Sequence, residues 1–419
     1  MRKPQMQIET AETIGDAPPA DYHFDIAIVG AGPVGLALAG WLAKRSATSR
    51  LSVALIDARE PGAASADPRA IAVSHGSCAM LESSLGFPAD ATPIKRIHVS
   101  QRGQFGRTLI DRDEHGLPAL GYVVRYGSLV TTLAQAVSKT SVHWFTETTA
   151  STPLHDHEGV TLPIHSATGD RTIRARILVN AEGGLYKEAD AVSDASASSA
   201  LSPDVKNTRD YGQTAIVGTV SVSSPQPGVA WERFTPEGPI ALLPSGGARQ
   251  ADYALVWCCD PEEAARRSQL PDAEFLAELG SAFGERMGRF TRITGRAMFP
   301  LGLNALNALV DRRTVAIGNA AQTLHPVAGQ GLNLGLRDAH ALCDALSTNG
   351  PTTVALSLFA QRRALDRRMT IGATDTLARL FTVDFAPLSA MRGLALSALE
   401  LVPPLKTVLA RQMMFGQRR

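Results

Sequence analysis

The stretch Phe24-Asp-Ile-Ala-Ile-Val-Gly-Ala-Gly-Pro-Val-Gly35 decides the fold of this chain. Its mostly apolar first half predicts a β-strand over 24–29, and its glycines predict a tight turn into a helix that runs to about Lys44. Gly30, Gly32 and Gly35 let the backbone approach a pyrophosphate, whose charge the unpaired amides and the positive dipole end of the helix stabilise. The stretch therefore predicts a Rossmann-like unit that binds a dinucleotide.

An acidic residue follows the next predicted strand. Residues 52–56 form a short apolar run, and Asp57 ends it. An acid roughly 20 residues after such a turn hydrogen-bonds the ribose hydroxyls of an adenosine. The same negative charge disfavours a 2′-phosphate, so we do not expect NADP in this site.

A second glycine-rich segment lies nearly 300 residues later, Gly318-Asn-Ala-Ala-Gln-Thr-Leu-His-Pro-Val-Ala-Gly-Gln-Gly-Leu-Asn-Leu-Gly335. It follows a predicted strand over 314–317, bends at His325-Pro326, and leads through 329–333 into a helix that runs to about Leu346. A second helix start suits the pyrimidine end of a flavin, because donors already directed at developing charge need little reorganisation. One such turn predicts a dinucleotide, and the pair predicts noncovalent FAD.

The pattern changes between the two turns. Short runs rich in Val, Ile, Trp and Phe, separated by Gly and Pro, predict an antiparallel sheet with strands over 215–223, 229–235, 239–244 and 252–259. A helix with Phe275, Leu276, Leu279 and Phe283 on one face follows, and residues 292–303 return the chain toward the second turn. We expect this sheet to form one wall of a substrate cavity over the flavin ring.

The predicted fold class is α/β, a Rossmann-like FAD-binding domain of the glutathione reductase type with an inserted mixed or antiparallel β-sheet substrate domain and C-terminal helices. With 419 residues, 44% of them hydrophobic, the chain can bury a large core. The predicted divisions are a flexible leader (1–22), an FAD-binding domain (23–90, 120–186 and 296–350), a substrate domain (91–119 and 209–295), a flexible insertion rich in Ala, Ser and Asp (187–208) and a C-terminal helical region (351–419).

Composition argues against several other functions. A net charge of +1 and an aromatic content of 5% give no support to nucleic-acid binding. The four cysteines lack metal-ligand spacing and suggest a reducing compartment, and the pair Cys258-Cys259 closes an apolar strand, which favours core residues over a redox pair. His155-Asp-His157 precedes Gly159 in a polar stretch, so a solvated turn is favoured over a metal site.

The two ends of the chain bear on its location. Residues 1–22 hold no apolar segment of signal-peptide type, and no uninterrupted run of 18 or more apolar residues occurs. We therefore expect a cytoplasmic protein. The apolar segment 388–401 and the Met-rich, basic end after Pro403-Pro404 either rest on the inner face of the cytoplasmic membrane or pack on the core, and both interpretations stay open.

Five segments carry a resemblance to a known family. They are Asp67-Pro-Arg-Ala-Ile-Ala-Val-Ser74, Ile97-His-Val-Ser-Gln-Arg-Gly103, Trp231-Glu-Arg-Phe-Thr-Pro-Glu-Gly-Pro-Ile-Ala-Leu-Leu-Pro244, Leu255-Val-Trp-Cys258 and 318–338. In order and spacing they resemble the class A flavoprotein aromatic hydroxylases, and within them the ubiquinone-biosynthesis hydroxylases of the 2-polyprenyl-6-methoxyphenol branch. The resemblance covers roughly 24–416.

The resemblance implies a reaction. NADPH or NADH reduces FAD, O₂ adds to give a flavin hydroperoxide, and its distal oxygen hydroxylates a polyprenylated phenol at C4. It also implies a complex of ubiquinone-biosynthesis proteins as a partner. Three alternatives stay open: a related hydroxylase acting at another ring carbon, a flavin reductase, and a non-catalytic scaffold.

The resemblance and side-chain chemistry together select candidate site residues. Many relatives carry Asp-Gly at Glu182-Gly183 and Gly-Asp at Gly318-Asn319; the longer Glu182 makes the approach of the nicotinamide less certain. The predicted cofactor-binding residues are Gly30, Gly32, Gly35, Asp57, Arg69, Arg125, Glu182, Gly183, Gly318, Asn319, Pro326, Gly329, Gln330, Gly331, Leu332 and Asn333. His325 either deprotonates the phenol as a catalytic base or contacts the flavin.

Overall fold

The computed structural model describes residues 22–103, 106–183, 205–324, 329–382 and 403–416. Some predictions fall outside these residues. They concern the leader up to residue 21, most of the insertion (187–204), His325 and Pro326, and the apolar segment 388–401.

Strands make up most of the regular structure before residue 330. In chain order they are β1 (Tyr22–Val29), β2 (Val53–Ile56), β3 (Ala70–Ser74), β4 (Thr92–Ile94), β5 (Arg96–Gln101), β6 (Arg107–Asp111), β7 (Gly121–Arg125), β8 (His143–Phe145), β9 (Thr148–Ala150), β10 (Leu154–His155), β11 (Val160–Ser166), β12 (Gly169–Asn180), β13 (Val205–Val222), β14 (Val229–Thr235), β15 (Gly238–Gly246), β16 (Asp252–Cys259), β17 (Phe290–Leu306), β18 (Val310–Asp311), β19 (Thr314–Ala316) and β20 (Gln322–Thr323).

The helices lie between these strands and after them. They are α1 (Pro33–Lys44), α2 (His75–Glu82), α3 (Tyr126–Val137), α4 (Pro261–Gln269), α5 (Asp272–Phe283), α6 (Gln330–Asn349), α7 (Thr353–Thr382) and α8 (Pro403–Phe415). No helix within the described ranges is both long enough and apolar enough to cross a bilayer.

A nine-stranded sheet contains the Rossmann-like part of the molecule. Its core is parallel, in the order β8, β2, β1, β12, β19, and β9, β10, β11 and β18 extend it by antiparallel pairing. Ile26 and Ile28 of β1 belong to one buried cluster with Leu36 of α1, whereas Ala27 and Val29 face a second cluster. Since both faces are covered, the strand is apolar throughout its second half. The predicted α/β fold is confirmed.

An eight-stranded sheet forms a second layer, in the order β20, β17, β13, β16, β15, β14, β5, β6. All its pairs are antiparallel except β14 with β5, which makes the sheet mixed. Phe275, Leu279 and Phe283 of α5 are buried against one face, together with Trp257 and Trp231. The opposite face packs on α6, where Leu303 lies with Leu334.

A third, three-stranded sheet in the order β3, β7, β4 lies where the two larger sheets approach each other. Ala72 of β3 and Val123 of β7 pack in one cluster with Ala230 of β14. At the end of β3, the backbone N–H of Ser74 donates to Asn333 of α6. This small sheet therefore connects the eight-stranded sheet, which we call the substrate layer after the predicted substrate domain, to the second glycine turn.

Two predicted boundaries fall within strands. β13 begins at Val205 and pairs with β17 from there on, so the last four residues of the predicted flexible insertion (187–208) are strand. β17 also crosses the predicted division at 295/296 without a break. The start of β13 was missed because its polar residues lack the apolar alternation that marks a strand in sequence. A strand can continue from one domain into the next, so the division at 295/296 stays a prediction.

The described part of the C-terminal end packs on the protein. Ala410 and Met414 of α8 are buried with Ile110 and Leu120. The ammonium of Lys406 is also buried and donates to the Leu109 carbonyl at 2.9 Å. Over residues 403–416 the structure therefore shows a helix packed on the core, and contact of this end with a membrane stays a prediction.

The four cysteines are buried and free. Cys258 and Cys259 point to opposite faces of β16, the former toward Ala215 and Leu301 and the latter toward the α5 side of the sheet. Adjacent residues of a strand alternate between faces, which confirms the interpretation of this pair as core residues.

Candidate functional site

Four of the predicted site segments meet because their strands end at one edge of the sheet. Val29 of β1 is in register with Ile56 of β2 and with Asn180 of β12, which in turn faces Ala316 of β19. The residues that follow these strand ends therefore converge. In open parallel sheets, ligands bind outside the carboxyl ends of the strands.

Two glycines of the first turn are fixed by the protein itself. Gly30 has a φ of +103°, and a Cβ there would lie 2.7 Å from the Ala181 carbonyl oxygen. A Cβ at Gly35 would overlap the carbonyl oxygen of Gly30. Both glycines therefore allow β1, α1 and the end of β12 to approach one another.

The middle glycine of this turn differs. A Cβ at Gly32 would meet only the hydroxyl of Tyr126, at 3.7 Å, and its φ of −72° is accessible to any residue. Gly32 is the N-cap residue of α1, and no side chain caps this helix. The first amides of α1 thus lack a side-chain acceptor. The described protein atoms leave room for a side chain here. A pyrophosphate that approached those amides would need that room, and glycine leaves it free.

Asp57 follows the end of β2 and lies against the first turn. Its carboxylate accepts from the Ala31 backbone N–H at 2.6 Å and from the Arg59 backbone N–H at 2.9 Å. A small, partly open pocket beside it is lined also by Val130 and Trp144. Because each carboxylate oxygen accepts more than one hydrogen bond, Asp57 fixes the first turn and still has capacity for ribose hydroxyls. Arg59 was not predicted from the sequence.

The second turn contacts the first directly. Gly318 has a φ of +62°, and a Cβ there would lie 3.2 Å from the methyl groups of Val34. A Cβ at Gly335 would lie 2.8 Å from Val34 and 2.9 Å from the Cα of Gly318. The side chain of Val34, inside the first motif, is therefore enclosed by two glycines of the second. Asn319, next to Gly318, is exposed.

The start of α6 repeats the contrast seen at α1. Gly329 is its N-cap with a φ of +57°, and no side chain caps the helix. A Cβ at Gly331 would meet no atom of the described ranges within 4 Å. Gln330 is buried, and Leu332 is partly buried. Uncapped amides next to an open glycine fit a ligand that accepts hydrogen bonds, as the pyrimidine end of a flavin does.

Asn333 lies in the first turn of α6 but uses its side chain within the protein. It accepts from the Ser74 N–H at 2.8 Å and donates to the carbonyls of Ala72 at 3.0 Å and Gly329 at 2.8 Å. Its side chain is only 2% exposed. Asn333 therefore orients the helix start by fixing it to β3.

Glu182 and Gly183 follow β12 at the same sheet edge, and both are exposed. The backbone N–H of Glu182 donates to the side chain of Asn180 at 3.0 Å. A Cβ at Gly183 would meet nothing within 4 Å. Like Gly32 and Gly331, Gly183 is a glycine for which the protein has no steric need.

The two predicted arginines flank the first turn in different ways. Arg69 is paired with Asp67 at 2.6 Å, and its guanidinium lies 4.9 Å from the ring centroid of Tyr126. Arg125 is exposed at the end of β7. Burial raises the pKa of Tyr126. Tyr126, which was not predicted from the sequence, therefore connects Arg69 to the open side of Gly32.

The stretch at His155 is a turn. Asp156 organises it by accepting from the Glu158 and Gly159 N–H groups, at 2.8 and 2.7 Å. His155 lies in β10 with Nε2 3.4 Å from Thr314, while His157 is exposed. Across the described ranges, no group of three or more His, Cys, Asp or Glu residues is arranged to hold a metal ion.

The residues around this sheet edge fit FAD. Two uncapped helix starts, two open glycines and an acid at the adenosine end occur together, in the order that FAD requires. The polar groups available are backbone N–H donors at both helix starts and the carboxylate acceptor of Asp57. Amides suit the pyrophosphate and the pyrimidine, and the carboxylate suits the ribose.

The substrate layer presents a row of accessible residues toward this site. Five neighbouring strands contribute one partly exposed residue each to what we term the accessible row, in which successive members are in register: Val217, Val256, Ala241, Glu232 and Val99. Elsewhere the same face of the sheet packs on the cofactor-binding part of the protein. Ala230 packs in one cluster with Ala72, and Leu303 packs with Leu334 of α6. The row thus forms an apolar wall between two contacts with the cofactor layer.

Glu232 is the charged member of the accessible row. Its Oε1 is enclosed and has no hydrogen-bond partner among the residues described. Desolvation raises the pKa of this carboxyl to about 7. Glu232 belongs to a motif that carries the family resemblance, but no role was predicted for it. The sequence signal that could have identified Glu232 is an acidic residue between Trp231 and Phe234 in a strand. By alternation along the strand, Glu232 lies on the face opposite Trp231.

Comparison with known proteins places this geometry among relatives. The profile of the family described as FAD binding domain matches residues 23–352. Ubiquinone hydroxylase UbiL of Rhodospirillum rubrum is 33% identical over 409 residues, covering 94% of this chain and 90% of its own length. The 3-demethoxyubiquinol 3-hydroxylase of Escherichia coli K12 is 30% identical over 397 residues, covering 91% of this chain and 96% of its own length.

Solved structures agree on the fold. The p-nitrophenol 4-monooxygenase PnpA from Pseudomonas putida DLL-E4 superposes with a TM-score of 0.72 at 16% identity, covering 95% of this chain and 100% of that chain. The OxyS anhydrotetracycline hydroxylase from Streptomyces rimosus gives 0.70 at 19% identity, covering 95% of this chain and 77% of that chain. At these identities the likeness concerns the fold.

Proposed function

The chain belongs to the FAD-dependent hydroxylases of ubiquinone biosynthesis, and we propose that within this family it hydroxylates 2-polyprenyl-6-methoxyphenol at C4. The protein is an FAD-dependent monooxygenase. In the proposed reaction the phenol, O₂, NAD(P)H and one proton give the 1,4-benzoquinol, water and NAD(P)⁺. One oxygen atom enters the ring and the other leaves as water.

The observation that carries the proposal is similarity over almost the whole chain. The relative named ubiquinone hydroxylase covers 94% of this chain, so the similarity includes the substrate layer as well as the cofactor-binding part. The substrate of an enzyme is decided by its site rather than by its fold. The accessible row is a suitable surface for an aromatic ring, because four of its five members are apolar.

Each part of the site has a proposed task. Asp57 binds the ribose of the adenosine, the α1 start around Gly32 binds the pyrophosphate, and the α6 start around Gly331 binds the pyrimidine end. When bound, FAD supplies the electron transfer and oxygen activation that no amino-acid side chain provides. The accessible row excludes water from the reacting ring and orients it over the cofactor.

Ring chemistry supports C4. An electrophilic oxygen attacks a phenol where its electron density is greatest, ortho or para to the hydroxyl. In a 2-polyprenyl-6-methoxyphenol both ortho carbons are substituted. The para carbon, C4, is then the open activated position.

A second candidate is hydroxylation at another ring carbon. It is favoured by the E. coli relative, which is named for hydroxylation at position 3 of demethoxyubiquinol. The two candidates share the cofactor site and the accessible row, and they differ in the substrate that precedes the reaction. In the second case the ring already carries its para oxygen.

The lipid-quinone profile of a strain lacking the protein tests the proposal. We expect aerobic cells to accumulate 2-polyprenyl-6-methoxyphenol and to make little ubiquinone. Accumulation of a para-oxygenated intermediate would instead select the second candidate. Normal ubiquinone levels would exclude both. In vitro, a short-chain 2-alkyl-6-methoxyphenol with ¹⁸O₂ should yield one labelled ring oxygen, and a product without label would indicate a flavin reductase.

A further inference from the structure

Glu232 occupies a position that packing does not explain. It lies on β14 opposite Ala241 of β15 and Val99 of β5, so its neighbours across both strands are apolar. Its enclosed Oε1 lacks a partner, and it forms no ion pair within the described residues. An enclosed carboxyl oxygen without a partner costs stability, and such a cost is typical of a functional position.

The strand order sets the direction in which Glu232 faces. Residues of β14 alternate between faces, so Glu232 shares a face with Ala230, which packs on Ala72 of β3. A Cβ at Gly329, the N-cap of α6, would lie 3.2 Å from that same Ala72. Glu232 is therefore two residues along β14 from the point where the substrate layer meets the α6 start.

The charged surroundings of Glu232 are sparse. Among the titratable groups described, the thiol of Cys258 on β16 interacts electrostatically with Glu232. Burial raises the pKa of Cys258 far above its ordinary value, so this thiol is neutral. In the part of the chain that the structure describes, no arginine, lysine or histidine is paired with Glu232. Its protonation is therefore free to respond to a bound phenol.

The geometry points to Glu232 as the catalytic base that accepts the phenolic proton of the substrate. This inference rests on the proposed function. The phenol O–H bond breaks, its proton goes to the carboxylate, and the electron pair stays on the ring oxygen, which makes C4 more nucleophilic. After oxygen transfer the ring C4–H proton is lost to solvent, and Glu232 returns its proton to the ring oxygen as the quinol forms.

This role suits the titration of the group. A general base works best when its pKa lies near the operating pH, and desolvation places that of Glu232 at about 7. The raised pKa brings the titration of this carboxyl toward neutral pH. A neutral phenol also avoids bringing a second negative charge beside Glu232 during binding.

The test compares three variants with wild-type holoenzyme on a short-chain 2-alkyl-6-methoxyphenol. Glu232→Gln keeps the size and removes the base, and Glu232→Asp keeps a carboxylate on a shorter side chain. Glu274→Gln is the matched control, because Glu274 is exposed on α5 of the same layer. We expect Glu232→Gln to lower kcat by about 100-fold or more, Glu232→Asp to show a smaller loss, and Glu274→Gln to match wild type.

Two readouts separate a base from a structural residue. The wild-type kcat should fall below about pH 7, and this acidic limb should be absent in Glu232→Gln. A ring-fluorinated phenol, which ionises without help, should recover much of the lost rate in that variant. Anaerobic reduction of bound FAD by NADPH should be unchanged, which shows that the cofactor site is intact.

Two failures are distinguishable. If wild type forms no labelled quinol from ¹⁸O₂, the proposed function is wrong. If wild type does so but Glu232→Gln keeps its kcat and its acidic limb, the role of Glu232 is wrong. If Glu232→Gln loses FAD, the Glu232→Asp variant provides the test. An aspartate variant that binds FAD, keeps the wild-type kcat and lacks the acidic limb would overturn the inference.

Discussion

The glycines on the protein side of the cofactor site differ from those on its open side. At Gly30, Gly35 and Gly335, backbone or side-chain atoms lie too close to leave room for a Cβ. At Gly32, Gly183 and Gly331 no atom of the described residues comes within 3.4 Å of that place, and the backbone is one that any residue adopts. The first group is needed for folding. Space for a ligand explains the second group. Glycines that follow one regular spacing in the sequence therefore meet two different needs, close packing of the protein and access of a ligand.

The largest expected effect is at Gly35. Replacing Gly35 with Ala places a methyl group on the carbonyl oxygen of Gly30, where neither partner can move without displacing β1 or α1. We expect loss of soluble folded protein, since overlap of backbone atoms exceeds the usual 1–3 kcal/mol, roughly, of overpacking. Expression followed by size-exclusion chromatography checks this. Recovery of folded, yellow protein would contradict the division into two groups.

Gly32→Val should give the next largest effect, and of another kind. The branched side chain meets no protein atom closer than the Tyr126 hydroxyl, but it projects beside the uncapped amides of α1. We expect a protein that is folded by circular dichroism and has lost its FAD absorbance. Retention of stoichiometric FAD would show that the pyrophosphate does not lie at this turn.

Gly331→Phe should weaken FAD binding or slow flavin reoxidation by about tenfold or more while leaving the fold intact, because the space beside Gly331 is open. Fluorescence titration of FAD and stopped-flow reoxidation measure this. His157→Ala is the control, since His157 is exposed in a turn. Equal effects of both substitutions would mean that the α6 start is not the pyrimidine site.

Gly76 lies outside the site but belongs with the first group, because neighbouring protein atoms leave no room for a Cβ. A Cβ there would lie 2.8 Å from the Met414 carbonyl oxygen and 3.0 Å from the Phe415 ring. Gly76→Ala should displace α8 at a cost of about 1–3 kcal/mol, with FAD still bound. Limited proteolysis should then cut near residue 403 sooner than in wild type. Unchanged proteolysis would place α8 less firmly on the core.

The smallest effect is expected at Gly372, an open and exposed glycine within α7. No ligand is proposed there, so Gly372→Ala should stabilise the protein by up to about 1 kcal/mol through helix propensity. Thermal unfolding with and without added FAD measures this. A loss of FAD from this variant would show that FAD loss after substitution of an open glycine does not locate the ligand.

Sequence patterns predicted most of the fold where apolar runs were bounded by turns. β14 and β16 begin and end at the predicted residues, and Asp57 follows β2 as expected. The polar start of β13 could not be found in this way, because its pairing with β17 rather than its own composition makes it a strand. The burial of Lys406 was likewise hidden, since a lysine near the chain end is normally exposed.

The site was predictable in its glycines and less so in its side chains. The spacing of Gly30, Gly32 and Gly35 identified the first turn, but only tertiary packing separates the open glycine from the closed ones. Asn333 was predicted as a cofactor contact, and its hydrogen bonds show a structural task. Glu232 required the register of five strands from distant parts of the chain, which local patterns do not contain.

The enclosure of Val34 by Gly318 and Gly335 has a consequence for the order of synthesis. These contacts join residues that the ribosome produces about 280 positions apart. A nascent chain that ends before Gly318 has the first turn but lacks the residues that close around Val34. Contacts of such long sequence separation form late, because loop closure must precede them. The growing chain therefore cannot complete its cofactor site until its first 335 of 419 residues have left the ribosome.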